Sequence, residues 1–330
     1  MRDATVQLGV QRQSDARGSA NILDQVPSTS STLVVTWNNR DFLGRCLESL
    51  PKDSEIIVVD NASTDGSADF VAETFPAVRL IRLERNIGFG AAVNRAAAEA
   101  TGTYLLLLNP DAEATPKSIE RLAEFLDEHI TCGAAGGRLL SMTEEWQRGF
   151  NVRRLPTYAT VIADLLLFKY VWPSNPLTRR AEAAEITDTA SQAVEQPAAA
   201  CLMVRRRTFE QIGGMDERFF PAWFEDVDLC RRILEDGWTI FFVPRANFRH
   251  LGGTSVAILG VPRMKRLYYQ NLERYMAKHH GLMGRAVTRS LIVTGMGLRV
   301  AGSALVGNGD GMRTYGGVMR AALGGWKEPD

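Results

Sequence analysis

An α/β fold built on a mostly parallel sheet flanked by helices, with a helical extension at the C-terminal end, is the architecture the sequence predicts. Three observations carry it. Short continuous apolar runs recur through the first third of the chain, segments of helical length separate them, and each run closes on a polar turn. Continuously apolar strands need cover on both faces, which helical crossovers between parallel strands provide.

The elements follow in order. Residues 1–30 lack periodicity and read as a loose leader, with a short strand near Val6–Val10. Leu33-Val34-Val35 predicts a first strand, 41–50 a helix, Ile56–Val59 a second strand, 65–74 a helix and Val78–Leu83 a third strand. A helix over 90–100 and the strand Tyr104–Leu108 complete the series. We take 31–257 as one domain, with an insertion at 141–196 between its halves 31–112 and 197–257. In the insertion, the run Leu165–Trp172 either covers a site or touches lipid, and 180–195 reads as a closing loop; the competing reading is a helical hairpin packed as core.

Composition narrows the class. The 330 residues are 45% hydrophobic, enough for a large core, and the formal net charge is zero. Residues 258–330 carry eleven Lys and Arg against four acids, which leaves 27 against 34 in the rest. A basic helical extension is expected there. Arg285, Arg289 and Arg299 fall near one direction of a helical wheel, with Val287, Leu291, Leu298 and Leu305 opposite, the pattern of a helix lying on an anionic membrane surface; packing on the domain or on a homodimer partner is the alternative. Asp164, Lys169, Arg289 and Arg299 interrupt the most apolar windows, so no membrane span is expected. Cys46, Cys132, Cys201 and Cys230 lack paired spacing, which points to reduced thiols in a cytoplasmic protein and away from zinc. No nucleic-acid partner is indicated.

Ligands of open α/β sheets bind outside the carboxyl ends of the strands. There stand Thr36-Trp37-Asn38, Asp60-Asn61, Arg85-Asn86 and Asn109-Pro110-Asp111. Taken singly each is turn chemistry. Together they suit a nucleotide diphosphate: Asp60 can accept from a base edge, Asn86 and Asn109 can bond sugar or phosphate, and Asp111 offers a hard oxygen for Mg²⁺ or Mn²⁺. No G-x-G-x-x-G follows the first strand, which argues against hydride transfer. Further on, Trp223-Phe224-Glu225-Asp226-Val227-Asp228 opens a helix on which Glu225 and Asp228 share a face while Asp226 points elsewhere, and His250 lies beyond the next strand. These acids either form a metal-plus-base site or merely cap the helix.

The run Val35-Thr36-Trp37-Asn38, then Val59–Ser67, Asn86-Ile87-Gly88-Phe89-Gly90 and Leu108–Ala112, resembles family 2 glycosyltransferases of the rhamnosyltransferase-like branch. Ala200–Arg206, Gly213–Glu217, Trp223–Leu229, Gly237-Trp238 and His250–Ser255 keep the family's order, so the resemblance spans roughly 31–280. It implies the GT-A nucleotide-diphospho-sugar transferase fold, a nucleotide-sugar donor and inversion at the anomeric carbon, with 31–257 as the catalytic domain, 31–112 as its nucleotide-binding half, 141–196 as an acceptor-side insertion and 197–257 as its catalytic and acceptor half. Thr36, Asn38 and Asp60 are then nucleoside contacts and Asn86 a donor-site residue. Asn109-Pro110-Asp111 stands where the family has Asp-x-Asp, so Asp111 is the metal carboxylate and Asn109 a ribose or water-mediated contact. His250 becomes the second ligand to Mg²⁺ or Mn²⁺. Asp226 takes the general-base role with Glu225 as competitor, and Trp223 is an acceptor platform or a core residue. The donor expected is dTDP-rhamnose and the acceptor a lipid-linked glycan, which places the protein on the inner face of the cell membrane. A catalytically silent carbohydrate-binding or assembly subunit, and a UDP-hexose donor, are the alternatives.

Overall fold

The computed structural model describes residues 29–172 and 174–326. The expected leader and its strand near Val6–Val10 lie outside them, apart from Thr29 and Ser30, where the first strand begins. The first half contains β1 (Ser30–Thr36), α1 (Arg40–Glu48), β2 (Glu55–Asp60), α2 (Ser67–Thr74), β3 (Arg79–Arg82), α3 (Phe89–Glu99) and β4 (Tyr104–Leu108). These are the alternating elements that the apolar runs predict. They are followed by β5 (Ala112–Ala114), α4 (Ser118–Glu128) and β6 (Cys132–Leu140). The insertion holds β7 (Val152–Arg153), α5 (Tyr158–Leu165), α6 (Phe168–Val171), α7 (Pro176–Ala181), β8 (Gln192–Ala193) and β9 (Gln196–Pro197). Then come β10 (Cys201–Arg205), α8 (Arg206–Gln211), α9 (Glu225–Glu235), β11 (Thr239–His250), α10 (Thr254–Leu259), α11 (Val261–Leu305) and α12 (Gly309–Leu323).

The main sheet runs β3-β2-β1-β4-β10-β6-β11-β5, with β8 also on β11. Its β3-β2-β1-β4 half is parallel, and β6 pairs with β11 in parallel. β10 enters between β4 and β6 antiparallel to both, and β5 is antiparallel to β11. The sheet is therefore mixed, because an apolar run such as Cys201–Val204 fixes burial but says nothing of strand direction. Side chains alternate across it: Leu33, Val35, Ile57 and Val59 join one buried cluster, and Val34, Val58, Leu106 and Leu108 the other.

A third cluster joins Val161 and Leu165 of α5, Phe219, Phe224, and Tyr269, Tyr275, Ile292 and Met296 of α11. It fastens the C-terminal helices to the turn ahead of α9. α11 breaks at Gly281, whose φ of 67° and ψ of −160° are not helical. The break lets its two halves meet over buried Glu273, which accepts from Arg289 at 2.6 Å and pairs with Arg285 at 3.2 Å, while Trp326 Nε1 donates to it at 2.9 Å. Arg299 donates to the carbonyls of Leu165 and Asp164. Each arginine of the helical-wheel stripe thus has a partner within the protein, Arg289 and Arg299 half-buried and Arg285 exposed. A wheel shows direction but not what occupies it. The expected closing loop, 180–195, is tied down by Arg154 to Glu185 and Glu195, by Arg138 to Asp188 and by β8. Among the described residues no helix is long and apolar enough to cross a membrane.

Candidate functional site

Thr36 and Asp60 end adjacent strands and are register partners. Both are buried, and Thr36 Oγ1 and Asp60 Oδ1 have no hydrogen-bond partner among the described residues. Asp60 Oδ2 accepts from the Ser63 amide at 3.1 Å, so one carboxylate oxygen orders the turn and the other stays buried without a partner among the described residues. Asn38, at φ 56°, receives the Thr64 amide on its side-chain oxygen at 2.7 Å and donates its own amide to Ser63 Oγ. It holds this turn shut. Asn86 accepts from Asn61 Nδ2 and from the Gly88 amide, tying the exits of β2 and β3 together, and lines a cleft of about 690 Å³ with Arg85, Arg95 and Phe220.

The second group assembles through strand pairing. His250, the last residue of β11, is register partner of Ala112 in β5, which sets it beside Asp111. A register irregularity across Pro244–Ala246 helps set this end of β11, since Pro has no amide for the ladder. His250 Nε2 lies 3.5 Å from Asp111 Oδ1 and 3.4 Å from Asn109 Nδ2. Gln147 was not singled out in the sequence, yet it governs this ring. Its Nε2 donates to the His250 carbonyl at 2.6 Å, which turns its Oε1 to the imidazole Nδ1 at 2.9 Å. Nδ1 is thereby the donor to Gln147, and Nε2 is the ring nitrogen that faces Asp111. Phe150 stacks on the ring at 5.3 Å. One carboxylate oxygen and one imidazole nitrogen, with the other ring nitrogen anchored, form a donor set that fits a divalent cation. Gln147 gave no sequence signal because it stands outside any motif.

The acidic turn forms the third group. Trp223 and Phe224 both have left-handed backbones, φ 72° and 75°, which costs non-glycine residues on the order of 1 kcal/mol each. Anchoring of Phe224 in the third cluster offsets this strain. The three acids Glu225, Asp226 and Asp228 occupy the first turn of α9, where the helix dipole favours them. Their environments differ. Asp228 is fully buried and paired with Arg232, Lys278 and His279 at 2.6 to 2.8 Å. Glu225 is buried behind α3, where a Cβ on Gly90 would lie 3.7 Å from its own, and burial together with Asp226 raises its pKa well above the usual range. Burial raises the Asp226 pKa too, but the amides of Val227 and Ala199 and the charge of Arg153 oppose the rise. Asp226 Oδ2 also accepts from Gln196 at 3.3 Å. Trp223 is half-buried against the third cluster.

One stretch of chain links these groups. The Ala199 amide donates to Asp226, and the Ala200 carbonyl accepts from the Asn109 amide. The structure therefore brings Asp226 to one flank of Ala199-Ala200 and the Asn109–Asp111 turn with His250 to the other. Glu225, expected as an acceptor contact, is instead withdrawn from solvent because the helix turns its side chain into α3.

The sequence profile of glycosyl transferase family 2 matches residues 31–186, and that of the N-terminal domain of galactosyltransferase matches 192–253. The N-acetylglucosaminyl-diphospho-decaprenol L-rhamnosyltransferase of Mycobacterium tuberculosis is 31% identical over 233 residues, 66% of this chain and 74% of that protein. The uncharacterized glycosyltransferase YwdF of Bacillus subtilis is 30% identical over 274 residues, covering 80% and 88%. Among solved structures, the mannosyltransferase PcManGT from Pyrobaculum calidifontis, in complex with GDP-Man and Mn²⁺, superposes with a TM-score of 0.53 at 17% identity, over 89% of this chain and 86% of that one.

Proposed function

The chain belongs to glycosyltransferase family 2 and has the GT-A fold, and from that premise we propose an inverting, metal-dependent enzyme that moves L-rhamnose from dTDP-rhamnose to a hydroxyl of a polyprenyl-diphosphate-linked glycan. We place this reaction in cell-envelope polysaccharide assembly at the inner membrane face. The observation that carries the chemistry is the Asp111–His250 pair, 3.5 Å apart, with Asp226 on the other flank of Ala199-Ala200. The rhamnosyl reading is supported by the 31% identity to the decaprenol-linked rhamnosyltransferase.

Asp60 Oδ1 and Thr36 Oγ1 receive the nucleoside, and Asn86 and Asn109 contact the donor's sugar and phosphates. Asp111 and His250 would hold a divalent cation, which when bound would neutralise charge developing on the departing diphosphate. Asp226 is the base. Of the two adjacent carboxyls it is the one whose ionised form is supported by the Val227 and Ala199 amides and the charge of Arg153, while burial raises the Glu225 pKa well above the usual range. Asp226 takes the acceptor hydroxyl's proton as that oxygen attacks the anomeric carbon, a contribution of about 10²–10⁴-fold. A single displacement inverts the configuration.

The test is transfer from dTDP-rhamnose, UDP-hexoses and GDP-mannose to a GlcNAc-diphospho-lipid acceptor, with Mn²⁺ or Mg²⁺ and with chelator, and product NMR. Inverted rhamnoside formed only with metal is expected. Retention overturns the mechanism, and preferred turnover of a UDP-hexose overturns the donor.

A further inference from the structure

We propose that Phe168–Trp172, the single turn of α6 and the residue that ends it, is a wedge that inserts into the interface of an anionic lipid bilayer. Tyr170 is 78% exposed, Val171 86%, Trp172 56% and Phe168 37%, so four of the five residues of this tip are large, exposed apolar or aromatic side chains, with Lys169 between Phe168 and Tyr170. Leu167, at φ 65°, turns the chain out of α5 to form it. Trp and Tyr have an apolar body and a polar tip, which suits the headgroup level of a membrane. Between Asp164 and Glu182 the chain carries Lys169, Arg179 and Arg180 and no acid, and Arg179 and Arg180 are exposed, so the charge around the tip complements an anionic surface.

One helical turn falls far short of the roughly 800 Å² per partner that a stable protein interface buries, which disfavours a second copy as the occupant. The tip is also held in place. Arg299 donates to the carbonyls of Asp164 and Leu165, and the Leu165 side chain lies in the cluster that anchors Phe224, next to Glu225 and Asp226. Leu298 and Leu305 of α11, seven residues apart and so on one helix face, are exposed as well. Insertion of α6 would thus hold the acidic turn at a fixed height above the bilayer that carries the acceptor lipid. That purpose rests on the lipid-linked acceptor reading, but the binding itself does not.

The full chain is co-sedimented with vesicles of phosphatidylcholine and phosphatidylglycerol, and with phosphatidylcholine alone, without donor or acceptor. Tyr170→Ser/Val171→Ser/Trp172→Ser is expected to weaken partitioning by roughly tenfold or more. Arg179→Gln/Arg180→Gln should lower only the phosphatidylglycerol-dependent part, which salt also weakens. Val171→Asp, at the most exposed position, serves as the single-site variant should the triple variant fail to fold. Unchanged vesicle binding in the folded variants overturns the proposal. So does a change in sedimentation coefficient without a change in vesicle binding, which would make the tip a self-association surface. Loss of vesicle binding alongside failure of rhamnosyl transfer by the parent protein would sustain the wedge and sink the donor reading.

Discussion

Adjacent carboxyls on one helical turn point to different surroundings, and Glu225 and Asp226 illustrate the consequence. Asp226→Asn should lower turnover by about 10²–10⁴-fold with donor affinity nearly intact, read by initial rates beside donor titration. Because burial raises the Asp226 pKa, kcat/KM of the parent should fall as pH drops through a value above the ordinary carboxylate's, and the Asn variant's residual rate should lose that limb. Glu225→Gln keeps shape and neutrality. A carboxyl with a raised folded pKa destabilises the fold once pH climbs through that pKa, so the Gln variant should gain on the parent as pH rises, by thermal melts. Asp111→Asn should weaken both Mn²⁺-dependent donor binding and turnover; equal donor loss in the Asp226 and Asp111 variants would refute the division of roles. Asp60, Asp111 and Asp226 were legible as polar residues in family motifs, whereas Gln147 and Gln196 were not, since each acts through a partner more than 25 positions away.

Elements position these residues through a few close approaches. Gly88, at φ 88°, opens α3 where a Cβ would come within 2.9 Å of Phe220 Cδ2 and 3.1 Å of the Pro221 carbonyl, and the Phe89 amide donates to that carbonyl at 2.7 Å. Gly88→Ala should therefore destabilise the protein by about 2 kcal/mol and raise the donor's KM, since the Gly88 amide itself anchors Asn86. A melt shift within error would show that the 220–221 turn yields freely. The pairing of β5 with β11 has a comparable role, because it brings His250 to Asp111, an approach that the Leu251 and Gly252 amides reinforce by donating to Asp111. The sequence indicated both residues but not that pairing, as a three-residue strand leaves no periodic trace.

At the scale of the molecule, the C-terminal helices are fastened to the helix that carries the acidic turn. Asp228 of α9 is held by Lys278 and His279 of α11, and Lys278 also binds Asp216. Burial would raise the Asp228 pKa, but its bonds to His279, Arg232 and Lys278 bring it below the usual range; Arg218 and Lys278 do the same for Asp216. A lowered folded pKa gives stability that is full above the unfolded value of about 3.9 and is lost as pH falls through the folded one. Asp228→Asn should cost about 3 kcal/mol near pH 7, with the gap to the parent closing below about pH 4 in denaturant titrations. A gap independent of pH would assign the loss to packing.

The sequence by itself determined the α/β series from β1 to β4, the polar strand exits and the acidic turn, because apolar period and turn chemistry are local properties. The tertiary structure alone decided the antiparallel entry of β10, the meeting of His250 with Asp111, the intramolecular partners of Arg285, Arg289 and Arg299, and the withdrawal of Glu225. Each depends on which distant partner fills the space a side chain faces. A one-dimensional pattern gives that side chain a direction but not its neighbour.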